Sequence, residues 1–366
     1  MRIGVPKEIK ADEYRVALLP VGAHLLVEDG HDVLIETQAG HGSGYHDDEY
    51  LSAGAKIVDS PNSLFSEAEL IIKVKEPQEN ELEKYSASQI VFGYFHFASS
   101  EHLTNTCLQK NITALAYETL TDSQGQLPLL KPMSEVAGKM SIQEGAKCLE
   151  KPMMGRGILL GGVAGVAPAN VLILGAGVVG SNAARIAAGL GANVIIMDID
   201  IEKLRYIDEI MPDNVTTIYS DPHAIQQCAI DADLIIGALL IPGARAPRLI
   251  NRELLKQMKN GAVLVDVAID QGGCFETSKP TTHHDPVYVV DDIVHYCVTN
   301  IPGAVARTSS QALCNATLPY IRKLSNLGLD AFLNESKGMR NALNIHLGKI
   351  KHLAVANAFP NLPNSF

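Results

Sequence analysis

The sequence predicts an α/β protein of two domains, each a doubly wound parallel sheet, with an interdomain cleft. Three observations lead to this prediction. The chain has 366 residues, which suits two domains of ordinary size. Short apolar segments alternate with segments whose apolar residues recur at helical spacing, a pattern typical of parallel sheets covered by helices. The same alternation then repeats more clearly in the second part of the chain.

In the first part of the chain, the predicted strands are short apolar runs and the helices carry their own end signals. The helix that starts at Pro20 ends before Gly30, a residue type favoured just after a helix. A second helix, over 100–110, opens with Ser and Glu. The predicted strands are 3–5, 32–37, 70–74, 89–95 and 112–117.

The second part yields a second sheet, followed by helices. Predicted strands are 171–174, 193–198, 216–219, 234–238, 262–267 and 287–290, with helices over 178–190, 202–210 and 251–259. A long amphipathic helix follows over 309–327, and further helices run to about residue 358. Since the second sheet is complete by about residue 300, we expect the C-terminal helices to pack on the first domain. The expected domains are therefore 1–130 with 305–366, and 131–304.

Composition and charge exclude several classes of function. Lys and Arg total 30 against 41 Asp and Glu, a net charge of −11, so we expect no nucleic-acid or membrane partner. The uncharged segment 157–184 is long enough to cross a membrane. Its seven glycines and Pro168 would break a spanning helix, so a strand, turn and helix are predicted instead. Six scattered cysteines are expected to be reduced thiols of a cytoplasmic protein. His283 and His284 lack partners at ligand spacing, so no metal site is predicted.

A glycine motif predicts a dinucleotide site and a Rossmann-like second domain. Gly175-Ala-Gly177-Val-Val-Gly180 follows a predicted strand and begins a predicted helix. The first glycine makes the turn, the second lets a pyrophosphate approach, and the third lets helix and strand pack closely. Asp198 ends the next strand, 18 residues after Gly180, where an acid binds the ribose diol. Because a carboxylate repels a 2′-phosphate, NAD is favoured over NADP.

Polar residues at four predicted strand ends are candidate substrate or catalytic residues. They are Arg15, Lys75, His96 and Asp270. Ligands of open parallel sheets bind outside the carboxyl ends of the strands. Arg offers a planar fork to a carboxylate, Lys a point charge, and His a proton-transfer group near neutral pH. Together with an Asp, this set suits hydride transfer on a small hydroxy or amino acid.

Each of these residues also has an ordinary structural interpretation. Arg15 and Lys75 could be ordinary solvated charges, since arginine and lysine side chains usually lie at the surface. His96 stands between Phe95 and Phe97 and could be a packed core histidine, or a base whose pKa those aromatic rings lower by desolvation.

Several ungapped motifs resemble the NAD-dependent L-alanine dehydrogenase family (alanine dehydrogenase / transhydrogenase N-terminal family). They occur in order along the whole chain: Arg2–Glu8, Val74–Pro77, Pro132–Gly138, Asp266–Gly273, His295–Ala304 and Asn315–Tyr320. The resemblance implies reversible deamination of L-alanine to pyruvate and ammonium, by hydride transfer to NAD and hydrolysis of iminopyruvate. It also implies a discontinuous catalytic domain and a homohexamer.

Position by position, the resemblance implies that Arg15 and Lys75 bind substrate, and that His96 and Asp270 are catalytic. The implied cofactor contacts are Ser134, Gly175, Gly177, Val178, Val179, Gly180, Asp198, Lys203, Ser220, Leu239, Leu240, Val267, Ala268, Ile269, Asp270, Lys279, Val298, Thr299, Asn300 and Ile301. Lys203 and Ile301 stand where Arg and Met are common in the family, and neither change removes a group that the reaction needs.

Two alternatives to a dehydrogenase stay open from the sequence. One is the soluble nucleotide-binding subunit of a nicotinamide nucleotide transhydrogenase, a family that shares the fold and many motifs. The other is a non-catalytic NAD-binding protein. The pair Lys75 and His96 favours a catalytic substrate site over both.

Overall fold

The computed structural model describes residues 1–87, 89–239 and 247–366, and the chain divides into two compact units. The first unit comprises Met1–Met133 and Gly303–Phe366, and the second comprises Ser134–Pro302. Both ends of the chain thus contribute to the first unit. The divisions fall after residues 133 and 302, where the sequence predicted 130 and 304.

The elements follow in chain order. The first segment contains β1 (Arg2–Val5), α1 (Pro20–Glu28), β2 (Asp32–Glu36), α2 (Asp47–Ser52), β3 (Lys56–Val58), α3 (Pro61–Glu67), β4 (Leu70–Ile72), α4 (Glu79–Leu82), β5 (Ile90–Gly93), α5 (Glu101–Gln109) and β6 (Thr113–Ala116). The middle contains α6 (Lys131–Cys148), β7 (Asn170–Leu174), α7 (Val178–Gly189), β8 (Asn193–Asp198), α8 (Ile201–Ile210), β9 (Val215–Tyr219), α9 (Pro222–Asp231), β10 (Leu234–Gly237), α10 (Arg252–Leu255), β11 (Val263–Asp266), β12 (Val287–Val290) and β13 (Ile293–Tyr296). The last segment contains α11 (Ala306–Leu327), α12 (Leu329–Glu335), α13 (Lys337–Asn341), β14 (Leu343–His346), β15 (Lys349–Ile350) and α14 (Leu353–Ala358).

The sheet of the first unit has, within the described residues, the strand order β15-β14-β6-β5-β4-β1-β2-β3. Its strands are parallel from β6 to β3, and β14 and β15 are antiparallel additions at one edge. The central strands β4 and β5 are buried along their whole length, as expected of a parallel sheet covered on both faces. Side chains from α3, α5 and α14 pack into the core that these strands form.

The sheet of the second unit has, within the described part of the chain, the order β12-β13-β11-β10-β7-β8-β9. All pairings are parallel except β12 with β13. Asp291 and Asp292 join those two strands with φ of 47° and 63°, the left-handed conformation of a tight hairpin turn. The predicted α/β class with two sheets is confirmed, although each sheet is mixed at one edge rather than purely parallel.

The structure departs from the predicted secondary structure in several places. Strands β3 and β13 and helices α2, α3, α4 and α9 were not predicted, and two further regions differ more strongly. Helices were expected throughout 328–358, but β14 and β15 form there and extend the first sheet. Leu347 and Gly348 turn between them with positive φ, and short apolar runs do not distinguish strand from helix by periodicity. The helix α6 was not predicted at all. Its Gly138 and Gly145 weaken the helical pattern in the sequence. Gly138 is nevertheless needed in this helix, because a Cβ there would overlap the carbonyl oxygen of Val179.

The uncharged segment 157–184 contains β7, the glycine turn and the first half of α7, as predicted. Among the described residues, no helix is long and apolar enough to cross a membrane.

Candidate functional site

Three candidate residues of the first unit follow neighbouring strands. Strand β1 pairs in parallel with β4, and β4 with β5, so the carboxyl ends of these three central strands lie side by side. Arg15 follows β1, Lys75 follows β4 and His96 follows β5. The chain places β2 and β3 on one side of β1, and β4 to β6 on the other. These carboxyl ends therefore lie at a topological switch point, where open α/β sheets bind ligands.

Arg15 is buried, and a carboxylate of the protein holds part of its guanidinium group. Its Nε and Nη2 donate to the two carboxylate oxygens of Glu13 at 2.6 and 2.5 Å, and Nη1 lies 3.1 Å from Met133 Sδ. Burial alone would raise the pKa of Glu13, but the hydrogen bonds and charge of Arg15 lower it below its ordinary value. The Nε edge of the fork is thus bonded to Glu13.

Lys75 is half-buried, and Glu8 fixes the backbone that carries it. Glu8 Oε1 accepts the N–H of Val74 at 2.7 Å and that of Lys75 at 3.4 Å. The neighbouring Lys73 is 1% exposed, with its ammonium 3.3 Å from Glu8 Oε2 and 2.7 Å from Glu81 Oε1. Lys73, which interrupts the apolar run in the sequence, is therefore the cation of a buried triad.

The buried triad of Lys73, Glu8 and Glu81 makes stability depend on pH. Burial raises the pKa of Glu8 from 4.5 to about 7, although the Lys73 ammonium opposes this shift. One ammonium faces two carboxylates, so protonation of Glu8 removes an excess buried negative charge. Because the folded-state pKa is raised, the stabilisation is fully present below the unfolded pKa and is lost as the pH rises through about 7.

We expect Glu8→Gln to remove this pH dependence. Between about pH 5 and 7, the wild type should lose up to about 3 kcal/mol relative to the variant, from a shift of 2.5 pKa units. Urea unfolding at several pH values measures the difference. Glu69→Gln, at an exposed carboxylate of the same unit, is the control and should follow the wild type. Parallel curves for wild type and Glu8→Gln would contradict the prediction.

His96 is exposed and has a left-handed backbone, so the packed-histidine interpretation is wrong. Its φ is 51°, and its N–H donates to Glu118 Oε1 at 2.6 Å. Glu118 also accepts the N–H of Phe95 at 3.2 Å. Phe95 and Phe97 are buried and stack on each other with ring centroids 4.5 Å apart. They do not desolvate the His96 ring as expected, since they turn into the core on either side of it.

The cofactor candidates of the second unit also share one sheet edge. Strands β11, β10, β7, β8 and β9 lie side by side in parallel, and β13 is parallel to β11. The residues at or just beyond their carboxyl ends are Gly175 (β7), Asp198 (β8), Ser220 (β9), Leu239 (β10), Val267 (β11) and Val298 (β13). Six candidate residues from distant parts of the sequence therefore lie along the carboxyl ends of one sheet.

The three glycines of the motif meet different surroundings. Gly175 has φ of 109°, and a Cβ there would lie 2.7 Å from the carbonyl oxygen of Ala238. A Cβ at Gly180 would overlap the carbonyl oxygen of Gly175. At Gly177, in contrast, no atom of the described residues other than its chain neighbours lies within 4 Å of a Cβ. The first and third glycines are required by the fold, whereas the second leaves open space before the N-terminus of α7, which suits a pyrophosphate.

We expect Gly177→Ala to fold normally and to bind NADH about 10- to 100-fold more weakly, because its methyl group would overpack the pyrophosphate space. Gly177 has φ of −73° and ψ of −166°, which alanine adopts freely. Thermal melting and fluorescence titration with NADH measure the two effects. Gly180→Ala is the contrasting variant, since it should lower the melting temperature. Wild-type NADH affinity in folded Gly177→Ala would contradict the prediction.

Asp198 is held against the glycine turn. Its Oδ2 accepts the N–H of Ala176 at 2.8 Å, and its Oδ1 accepts the N–H of Asp200 at 2.9 Å. Each carboxylate oxygen has a second lone pair, so the group can also accept from ribose hydroxyls. The ammonium of Lys203 lies 3.9 Å from both Asp198 and Asp200.

The remaining cofactor candidates surround this edge. Ser134 lies on α6 one turn before Gly138, whose close contact with Val179 directs that helix face towards the start of α7. Asp270 is exposed in a short turn after β11. Lys279 Nζ lies 4.3 Å from the ring centroid of Tyr288. The others are Val178 and Val179 at the start of α7, Ala268 and Ile269 after β11, and Thr299, Asn300 and Ile301 after β13. Leu240 lies outside the described residues.

Sequence reasoning missed the carboxylates that hold the candidate residues in place. Glu8 and Glu13 stand in the charged loop with Arg15, but nothing in their spacing indicates burial. Glu118 directly follows a predicted strand, so the strand-end rule could have found it. Asp266 lies inside a predicted strand, and its only signal is a charge within an apolar run.

Comparisons with known proteins cover almost the whole chain. Residues 4–137 match the model of the alanine dehydrogenase/PNT N-terminal domain, and residues 141–353 that of the C-terminal domain. The chain is 54% identical to an alanine dehydrogenase of Halomonas elongata, over 98% of this chain and 97% of that protein. It is 50% identical to an alanine dehydrogenase of Methanococcus maripaludis, over 98% and 96%.

Solved structures show the same similarity. A structure named L-alanine dehydrogenase superposes with a TM-score of 0.95 at 48% identity, and 99% of each chain is covered. A transhydrogenase from Sinorhizobium meliloti has a TM-score of 0.84 at 24% identity, over 96% of this chain and 100% of that chain; it shares the fold.

Proposed function

Since this chain belongs to the alanine dehydrogenase/PNT family, we propose that it catalyses the reversible, NAD-dependent oxidative deamination of L-alanine to pyruvate and ammonium. The observation that carries the proposal is the strand-end cluster of Arg15, Lys75 and His96, three groups that suit a carboxylate and a proton transfer. The relatives of 48–54% identity are named alanine dehydrogenases, which supports this activity over that of a transhydrogenase.

Arg15 and Lys75 bind the substrate carboxylate in this proposal. The Arg15 guanidinium supplies directional hydrogen bonds, and the Lys75 ammonium supplies a point charge. Glu13 keeps the guanidinium in one orientation, and Glu8 fixes the Lys75 backbone. The substrate therefore meets two cations whose positions are set before it binds.

His96 and Asp270 serve the proton-transfer steps in this proposal. The amine of alanine must be neutral before the Cα hydride leaves, and a water must be deprotonated to attack iminopyruvate. His96 is exposed on a backbone that Glu118 anchors, so its ring can exchange protons with substrate and solvent. Asp270, likewise exposed, positions the attacking water.

The second unit would hold the cofactor. NAD, when bound, accepts the hydride from the substrate Cα. The open space at Gly177 and the N-terminus of α7 suit its pyrophosphate, and the Asp198 carboxylate suits its ribose diol. Lys203, whose ammonium lies 3.9 Å from Asp198 Oδ2, is a cation that could contact a 2′-phosphate.

The direct test is L-alanine-dependent formation of NADH by the purified protein, with pyruvate, ammonium and NADH for the reverse reaction. Turnover in both directions is the expected result. Hydride exchange between nicotinamide nucleotides without alanine would favour the transhydrogenase alternative. NADH binding without any turnover would favour a non-catalytic binding protein.

We expect Asp198→Ala to shift cofactor preference towards NADP by about tenfold or more. The variant loses charged hydrogen bonds to the ribose, worth about 1.5–3 kcal/mol, and the repulsion of a 2′-phosphate, while Lys203 remains. Steady-state kinetics with NAD and NADP measure the ratio of kcat/KM. Asp200→Ala, at the other carboxylate near Lys203, is the control and should keep the wild-type preference. If Asp198→Ala does so too, Asp198 does not select the cofactor.

We also propose a cytoplasmic homohexamer. Support comes from the family resemblance and from the cysteines, since all six lie within the described residues and are free thiols, as in a reducing compartment. Light scattering on the purified protein measures the number of subunits.

A further inference from the structure

One buried carboxylate of the second unit has no role in the proposed reaction. Asp266 is the last residue of β11 and is fully buried, so it cannot touch a ligand. Its Oδ1 accepts the N–H of Ala268 at 3.1 Å, and its Oδ2 accepts the N–H of Cys274 at 2.9 Å. The hydroxyl of Ser278 donates to Oδ2 as well. A single side chain therefore bonds three points of the segment that follows its strand.

Two of these bonds close a loop around Asp270. Ala268 precedes the turn that carries Asp270, and Cys274 follows it. The carbonyl oxygen of Ala268 also accepts the N–H of Gly273 at 3.1 Å. A Cβ at Gly273 would lie 2.6 Å from Asp266 Oδ2, so only glycine lets the loop pass this close to the carboxylate. The position of Asp270 is thus defined from both ends of the turn.

The third bond, from the Ser278 hydroxyl to Asp266, fixes the backbone just before Lys279. Ser278, bonded to Asp266, directly precedes Lys279. The N–H of Lys279 donates to the hydroxyl of Tyr288 at 2.8 Å, and that hydroxyl donates to the carbonyl oxygen of Thr277 at 2.9 Å. The Lys279 ammonium lies over the same Tyr288 ring. The carboxylate of Asp266 therefore fixes segment 268–274, which carries Asp270, relative to segment 277–279, which carries Lys279.

We propose that Asp266 is a positioning residue of the reaction, which orients Asp270 and Lys279 together. This inference rests on the proposed function, because it assumes that Asp270 and Lys279 act on substrate and cofactor. An ionised carboxylate only accepts hydrogen bonds, so it can serve all three donors. An asparagine there would turn an NH₂ group towards one of the two backbone N–H groups, and that donor would lose its acceptor.

The decisive variant is Asp266→Asn, compared with Asp233→Asn. Asp233 is also buried beside this sheet, but it directly precedes β10 and so lies at the amino-terminal ends of the strands. It accepts the N–H of Asn170 at 2.9 Å and pairs with Lys259 and Arg156. Both variants should lower the melting temperature. Only Asp266→Asn should lower kcat per folded molecule, by about 10- to 100-fold, the scale of a small displacement of catalytic groups.

Coupling to Asp270 tests the route of the effect. If Asp266 acts through Asp270, Asp266→Asn should reduce kcat much less in an Asp270→Asn background than in the wild type. Equal losses in both backgrounds, or equal kcat for Asp266→Asn and Asp233→Asn, would overturn the proposal.

A milder variant covers the case in which Asp266→Asn does not fold. Ser278→Ala removes one bond from the same carboxylate and should weaken NADH binding severalfold; unchanged affinity would overturn the inference. A wild-type protein without alanine-dependent NADH formation would instead refute the proposed function, so the two failures are distinguishable.

Discussion

Replacing His96 with alanine should lower kcat by at least about 100-fold, the lower range for loss of a positioned acid–base group. The His96 ring is exposed and its backbone N–H is bonded to Glu118, so the substitution opens no core cavity. We therefore expect a melting temperature close to that of the wild type. NADH should still bind, because the candidate cofactor contacts belong to the second unit. Thermal melting, NADH titration and kcat on the same preparation measure the three effects.

Two further variants separate chemistry from backbone conformation at this position. His96→Asn introduces a side chain that tolerates φ of 51° well but cannot act as a base, so it should be as inactive as His96→Ala. His102→Ala removes an exposed histidine of the same unit, which pairs with Glu79, and should keep wild-type kcat. Near-normal kcat in folded His96→Ala would remove His96 from the mechanism.

Replacing Arg15 with lysine should lower kcat/KM for alanine and for pyruvate by about 100-fold, although the charge is kept. Arg15 bonds both oxygens of Glu13 through its planar guanidinium group. One ammonium cannot reproduce this planar geometry, and losing even one charged hydrogen bond costs about 1.5–3 kcal/mol. NADH affinity should stay unchanged. Steady-state kinetics in both directions, with NADH titration, measure the effect.

Arg322→Lys is the matched control for this substitution. Arg322 also donates from Nε and Nη2 to the two oxygens of one carboxylate, that of Asp29, at 2.7 Å each. It lies on α11 of the same unit and follows none of the strands that carry the candidate residues. If the two lysine variants have equal kcat/KM, Arg15 stabilises the fold without binding substrate.

The sequence by itself determined the fold class and eleven of the fifteen strands that the two sheets contain within the described residues. Strands β8 and β12 begin and end at the predicted residues, because each is a continuous, strand-prone run bounded by turn residues. The glycine motif with Asp198 predicted the dinucleotide site, since its glycines carry steric requirements that any such turn imposes. A short sequence pattern predicts a structural element wherever that element depends only on the residues within it, as these strands and the glycine turn do.

Only the tertiary structure decided which charges are buried and which partners hold them. Glu13 hydrogen-bonds to Arg15, and Glu8 forms an ion pair with Lys73. Glu118 accepts the backbone N–H of His96, and Asp266 accepts hydrogen bonds from three residues of the segment after its strand. Except for Glu13, these partners lie on different strands or across a loop, and no period in the sequence reports such pairings. The antiparallel edge formed by β14 and β15 has the same origin. Its short apolar runs suit helix or strand equally. The run of β14 becomes a strand because the edge of β6 offers it hydrogen-bond partners, and β15 pairs in turn with β14.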